Sequence, residues 1–299
     1  MALRAEGLGL AYARTAVHAD EVDIDLVAEE AIEQSVARVS VVIPTLNEER
    51  NLPHVLERIP EWVDEVLIVD GLSTDDTIAV ARRCRPDVRV VLESTRGKGA
   101  ALRAGFRAAT GHILVMLDAD GSTDPREIPS FVGALLAGHD IAVGSRFAQG
   151  GGTADMERHR QLGNWVLTRL VRAGFRGRYS DLCYGYTAFW SDVLPFIDGD
   201  YTGFEVETLI HIRALRASLK VAEVPSYESK RIHGVSNLRT VQDGARVLRS
   251  IVTEWMQHRL GTGSPQPLVV DRLPNARPST PPFSHEAGVD VRERRRAAQ

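Results

Sequence analysis

The stretch HILVMLDADGSTDP, residues 112–125, ends an apolar run in two carboxylates, Asp118 and Asp120, separated only by Ala119. Alternation along an extended backbone turns both side chains to the same side. Close carboxylates repel and stay ionised together only beside a cation. An oxygen-only pair suits a hard divalent ion such as Mg2+ or Mn2+. No neighbouring His/Cys pattern points to zinc. The competing role is local: Asp120 opening an Asx-turn or helix cap before Pro125, and Asp118 facing solvent.

Three other apolar runs end in polar residues of related kinds. PTLNEERN, residues 44–51, presents Pro44, Asn47 and Glu48; DGLSTDDT, residues 70–77, presents Asp70; ESTRGKGA, residues 93–100, presents Lys98 between two glycines. Asp70 can accept hydrogen bonds from a sugar or a base, and Lys98 can offset phosphate charge. Singly, Asn47 and Asp70 are ordinary turn formers, and RGKG is an ordinary helix start. Together, at one edge of one sheet, they fit a nucleotide-diphosphate site, because open parallel sheets bind ligands beyond the carboxyl ends of their strands. No GxGxxG follows the first strand and no GxxxxGK[ST] occurs, which disfavours a dinucleotide-dependent oxidoreductase and a P-loop ATPase.

The elements that must position these residues are legible from periodicity. Short apolar strands begin at Val39, Asp64, Val88, His112 and Ile141 and alternate with helical segments, predicting an α/β fold with a mostly parallel central sheet flanked by helices. Residues 1–36 read as an N-terminal extension, 37–260 as one catalytic domain, and 261–299, rich in Gly, Ser, Pro and Arg, as a flexible tail. A helix over 240–259 carries a stripe of Val241, Ala245, Leu248, Val252 and Trp255 with arginines at its margins. Such stripes usually pack inward, so the sheet or a second subunit, as in a homodimer, is the expected cover. A peripheral contact with an anionic bilayer is the alternative. Trp165 and the two cysteines, Cys84 and Cys183, are expected to pack in the fold.

The chain has 299 residues, 43% hydrophobic and 25% charged, with a formal net charge of −4. That size allows one large domain or two modest ones. The charge argues against nucleic acid as a partner. Two cysteines make no disulfide framework, no signal peptide is visible and no run has the length of a membrane span. A cytoplasmic protein, open to contact with the inner face of the membrane, is the expectation.

The motifs VVIPTLNEERNL, IVDGLSTDDT, RGKGAALRAG, LDADGSTDP, VGSRF, GFEVETL and VAEVPSYESKRIHGVSNL come in an order and spacing that resembles family 2 glycosyltransferases of the GT-A fold, most closely the polyprenyl- and dolichyl-phosphate sugar synthases. The resemblance covers residues 39–240. It implies an inverting, metal-dependent transfer of a hexose from a GDP- or UDP-sugar to polyprenyl phosphate. Pro44, Asn47, Glu48, Asp70 and Lys98 would line the nucleotide site. Asp118, Ala119 and Asp120 would form the D-x-D segment, bridging Mg2+ or Mn2+ to the diphosphate. Arg146 and Arg231 would face the acceptor phosphate, making them, with Asp120, the catalytic residues. The chain departs from the pattern twice: Ser122 stands where relatives often carry a glutamine, and Tyr184 takes the serine place of a D-x-x-S-G-[FY] segment.

A phosphate acceptor needs cations rather than a strong base, whereas a hydroxyl acceptor needs a carboxylate. Asp124, Asp181, Glu205 and Glu207 could supply one. The same donor chemistry on a soluble acceptor, such as a nucleoside or secondary metabolite, is therefore the alternative. A nucleotidyltransferase would show a basic, glycine-rich loop after the first strand, where PTLNEERN is acidic. A non-catalytic binding module would have no need of Asp118, Asp120 and Lys98 together.

Overall fold

A computed structural model describes residues 37–234, 238–261 and Arg277. Seven strands form the central sheet: β1 (Val39–Thr45), β2 (Glu65–Asp70), β3 (Arg89–Leu92), β4 (Ile113–Met116), β5 (Ile141–Ser145), β7 (Thr187–Trp190) and β8 (Val221–Pro225). Their spatial order is β3-β2-β1-β4-β7-β5-β8. Neighbours run parallel except around β7, which is antiparallel to both β4 and β5. Strands β1, β2 and β4 are buried almost throughout, which is why their sequences are near-continuous Val, Ile and Leu rather than alternating. A two-stranded ribbon, β6 (Gly152–Thr153) with β9 (Tyr227–Glu228), lies outside the main sheet.

The helices are α1 (Leu52–Leu56), α2 (Thr77–Cys84), α3 (Lys98–Ala108), α4 (Ile128–Leu136), α5 (Arg158–Phe175), α6 (Leu194–Ile197), α7 (Val206–Arg216) and α8 (Thr240–Arg259). Helix α3 packs across β1 and β2, α4 across β5 and β7, while α5, α7 and α8 pack on one another. Strand register decides where the loops emerge. Thr45 pairs with Asp70 and Asp70 with Leu92, so β1, β2 and β3 end level and deliver their loops to one edge. Strand β4 stops at Met116, and Asp118 and Asp120 lie in the loop beyond it.

Three packing expectations are corrected. Cys84 and Cys183 are both exposed, Cys84 because it ends α2 and Cys183 because it faces a cleft. Trp165 is 54% exposed, since α5 buries its other side through Asn164, Thr168 and Val171. The sheet does not cover the α8 stripe either: that helix buries Val247, Ile251 and Glu254, leaving Val241, Leu248, Val252 and Trp255 exposed on the single chain. The N-terminal extension, and the tail apart from Gly261 and Arg277, lie outside the described residues. Within the tail, Arg277 is paired with Asp140 at 2.7 Å and Asp192 at 2.9 Å.

Candidate functional site

A cleft of about 790 Å³ opens at the carboxyl edge of β1–β4. Its walls come from the loops after those strands (Pro44 to Glu48, Gly71 and Leu72, Ser94 to Lys98, Asp118 to Asp120), from Cys183 to Gly185, and from α5, α7 and α8. Pro44, Asn47, Glu48, Lys98, Asp118, Ala119, Asp120, Arg146 and Arg231 all line it.

The first two loops hold each other. Asn47 adopts a left-handed backbone (φ 59°), which an asparagine tolerates. Its Oδ1 accepts from the Thr74 amide at 2.8 Å, while its own amide donates to Ser73 Oγ at 2.9 Å. Glu48 and Glu49 continue the stitching to Thr77 and Asp75. Asp70 is a correction. It is buried at the strand end, where its Oδ2 accepts the Ser73 amide at 2.9 Å, and Gly71 and Leu72 form the cleft wall in its place. The turn-forming role has won because a carboxylate buried at a strand end needs donors, and the adjacent turn supplies one.

Lys98 sits at the first turn of α3 with its Nζ 2.6 Å from Asp118 Oδ1 and 2.8 Å from Glu207 Oε1. Two carboxylates raise the lysine's pKa despite a large opposing burial effect. Burial pushes Glu207 up, and Lys98 opposes that shift. The cluster closes against Gly185: a Cβ there would lie 2.7 Å from Lys98 Nζ and 2.8 Å from Asp118 Oδ2. Glu205 and Glu207 have separate tasks. Glu205, at the amino end of α7, accepts the Thr202 and Gly203 amides at 3.0 Å each, whereas Glu207 points into the cleft.

Asp120 accepts the Ser122 amide on Oδ1 at 2.9 Å and faces Arg231 at 3.0 Å on Oδ2. Glu48 completes an acidic wall. Burial raises its pKa first, and Asp120 and Asp118 raise it further. Among the described residues no group of three or more His, Cys, Asp or Glu side chains forms a metal cage. Two carboxylates lining one cleft suit Mg2+ or Mn2+, which take one or two protein carboxylates and complete their shell with substrate phosphates and water. The residues present therefore fit a divalent ion shared with a diphosphate.

Arg146 requires a second correction. Its guanidinium is buried and every nitrogen is engaged by the protein: Nε and one Nη with Asp181 at 2.6 and 2.9 Å, the other Nη with Glu228 at 3.1 Å, and Cys183 O at 3.1 Å. The ring of Tyr184 lies against it, 4.7 Å from centroid to guanidinium carbon. With its donors spent on Asp181, Glu228 and Cys183 O, Arg146 braces the cleft wall and is not placed to hold a phosphate. Tyr184 donates or accepts with Ser226 Oγ at 2.8 Å, so the unusual tyrosine belongs to the same brace. Arg160, on the first turn of α5, is a site residue that sequence reasoning misses. It lines the cleft, and its side chain makes no hydrogen bond or ion pair with any described residue. Only its place in a basic run, RHR, marks it, and such runs are usually solvated helix faces.

Known proteins resemble the chain in both sequence and fold. Residues 40–212 match the family model for glycosyl transferase family 2. The chain is 34% identical over 242 residues to the polyprenol monophosphomannose synthase of Mycolicibacterium smegmatis, covering 73% of this chain and 86% of that protein. It is 34% identical over 232 residues to the undecaprenyl-phosphate mannosyltransferase of Micrococcus luteus, covering 73% and 93%. Among solved structures it resembles glucosyl-3-phosphoglycerate synthase from Mycobacterium tuberculosis in complex with Mn2+, UDP-glucose and phosphoglyceric acid, with a TM-score of 0.59, 25% identity, and 80% and 86% of the two chains covered.

Proposed function

The chain belongs to glycosyl transferase family 2 and is a glycosyltransferase of the GT-A fold, and from that premise we propose that it transfers a hexose from a GDP- or UDP-sugar to polyprenyl phosphate. The observation that carries the acceptor is a continuity. One cleft is lined by the Asp118–Asp120 segment, by Arg160 and Leu167 of α5 and by Val247 of α8. Those same helices expose Leu162, Trp165, Val166 and Leu170, and Val241, Leu248, Val252, Trp255 and Met256. An anionic head thus has a cation inside the cleft, and an apolar chain has an apolar surface outside it. The two mannosyltransferases to which the chain is similar carry polyprenyl acceptors in their names.

The residues divide the work. Pro44, Asn47, Glu48, Gly71 and Leu72 form the nucleotide wall. Asp118 and Asp120 would hold Mg2+ or Mn2+, as the structural neighbour with Mn2+ supports. When bound, the ion supplies positive charge to the departing diphosphate. Lys98 holds Asp118 in place and adds positive charge on the same side. Arg160 and Arg231 orient the acceptor phosphate, which attacks C1 opposite the leaving group and inverts the anomeric centre. No base is required, since the acceptor is already an anion. Glu207 stays paired with Lys98.

The exposed α5–α8 face would rest on an anionic bilayer as a peripheral contact. No described helix is long and apolar enough to cross a membrane. The test is a donor screen with GDP-mannose, UDP-glucose and UDP-GlcNAc, polyprenyl phosphate and Mg2+. A lipid-extractable polyprenyl-phosphate hexose is expected. Transfer only to a water-soluble hydroxyl acceptor would overturn the reading.

A further inference from the structure

The two carboxylates of the D-x-D segment each face a basic side chain, but the two partners are held very differently. Lys98 is fixed twice, by Asp118 and by Glu207, and is largely enclosed. Arg231 comes from the loop after β9 and reaches Asp120 from across the cleft. That loop lies directly on the D-x-D turn: the Ser229 amide donates to Ser122 O at 2.8 Å, and the Ile232 amide donates to Asp120 O at 3.1 Å. The Ile232 side chain covers Gly121, whose φ of 75° makes the turn. At its far end the His233 carbonyl accepts from Asn51 Nδ2 at 3.2 Å.

Asp120 already serves two donors: Oδ1 accepts the Ser122 amide at 2.9 Å, and Oδ2 carries Arg231 at 3.0 Å, so a divalent ion on that carboxylate must share it with a guanidinium. A divalent ion and a guanidinium on one carboxylate repel each other at close range. Lys98 cannot yield without breaking a doubly paired, buried contact, whereas Arg231 belongs to a surface loop anchored through the backbone at Ser229, Ile232 and His233.

We propose that Arg231 is a resident competitor for the metal-binding carboxylate of Asp120, so that holding a divalent cation and shifting the Arg231 loop are one coupled event. This goes beyond an acceptor-binding role and rests on the reading of Asp118 and Asp120 as ligands of a divalent ion. The consequence is that the protein binds a bare cation weakly. A diphosphate between the two positive groups relieves their repulsion, so Arg231 favours the metal–nucleotide pair over the metal alone.

The test is direct titration of the nucleotide-free full chain with Mn2+, reading free Mn2+ by electron paramagnetic resonance. Arg231→Gln should tighten Mn2+ binding by about fivefold or more, within the ordinary range for coupled sites. Arg231→Lys, which keeps the charge, should stay near the parent value. Trypsin reports the loop: Mn2+ with UDP or GDP should speed cleavage after Lys230 in the parent, and Asp120→Asn should show fast cleavage without metal. Unchanged or weaker Mn2+ binding by Arg231→Gln overturns the competition and leaves the metal reading intact. Absence of Mn2+ binding to every variant overturns both.

Discussion

At the scale of single residues, the site is a set of carboxylates whose charge is balanced locally. Asp118 and Asp120 lie beyond the end of β4, and both line the cleft. Asp120→Ala should lower sugar transfer by about 10²- to 10³-fold, comparable to removing one main electrostatic group from a transition-state site. The fold should survive, because the residue lies on a loop at the cleft surface. Full transfer by that variant in the presence of EDTA would remove the metal role. Gly185 gives a subtler test. Its missing side chain is what allows Lys98 and Asp118 to meet. Gly185→Ala should displace the lysine tip, weaken transfer and lower the thermal unfolding midpoint, since Lys98 is paired with both Asp118 and Glu207 and largely enclosed. Gly185→Ala with parental kcat would show that the Lys98–Asp118 pair has no part in positioning the donor.

At the scale of elements, most of the architecture is legible in the sequence and the reasons for the misses are physical. Strand and helix periodicity places β1 to β5 and α2 to α4, because buried parallel strands admit little besides Val, Ile and Leu. Charge type and strand-end position find Lys98, Asp118 and Asp120 as residues of one cleft. Sequence does not reveal who is paired with whom across 35 or 82 residues, which is how far Asp181 and Glu228 lie from Arg146. Hence Arg146 reads as a phosphate ligand although it is a brace, and Arg160 goes unmarked although it lines the cleft. The two arginines therefore predict opposite phenotypes. Arg146→Ala leaves two buried carboxylates without their cation and should cost about 3–5 kcal/mol of stability in denaturant unfolding. Arg160→Ala should leave stability unchanged and raise the acceptor KM. A stable Arg146→Ala protein with a raised acceptor KM would reverse that assignment. Helix α7 carries a third case. His211 is fully buried against Tyr179, and desolvation lowers its pKa to about 4 from an unfolded value near 6.5. Between those values the unfolded chain binds a proton that the folded chain does not. Stability should therefore fall on acidification from pH 6.5 towards 4, by up to about 3 kcal/mol. His211→Phe should flatten that part of the pH–stability curve; an unchanged slope would exclude His211 as its source.

At the scale of the whole molecule, the question is what meets the face built by α5 and α8. The net charge of −4 opposes a general attraction to anionic lipid, so any such attraction must be local. The face supplies it: Arg169 lies over Trp165 at 4.8 Å and Arg259 over Trp255 at 5.3 Å, which sets cations beside exposed aromatic rings. Val241, 85% exposed, and Leu260, 74% exposed, extend the apolar surface to both ends of α8. Exposed apolar side chains gathered on two packed helices, with cations beside them, are the reason to test this face as an interaction site. Because both helices line the cleft, a bilayer against them would bring a polyprenyl phosphate head towards Arg160. The full chain should float with vesicles containing anionic lipid, and less with neutral ones, with attraction weakening as salt rises. Trp165→Ser combined with Val252→Asp should cut the floated fraction about tenfold, given the apolar area removed and the charge introduced. Both side chains are exposed, so unfolding is not expected, and transfer to a short, water-dispersed isoprenyl phosphate should persist. A homodimer is the competing cover. If sedimentation shows a dimer that the same double substitution dissociates, and the parent never floats, the face is a subunit interface and the acceptor must enter the cleft from water.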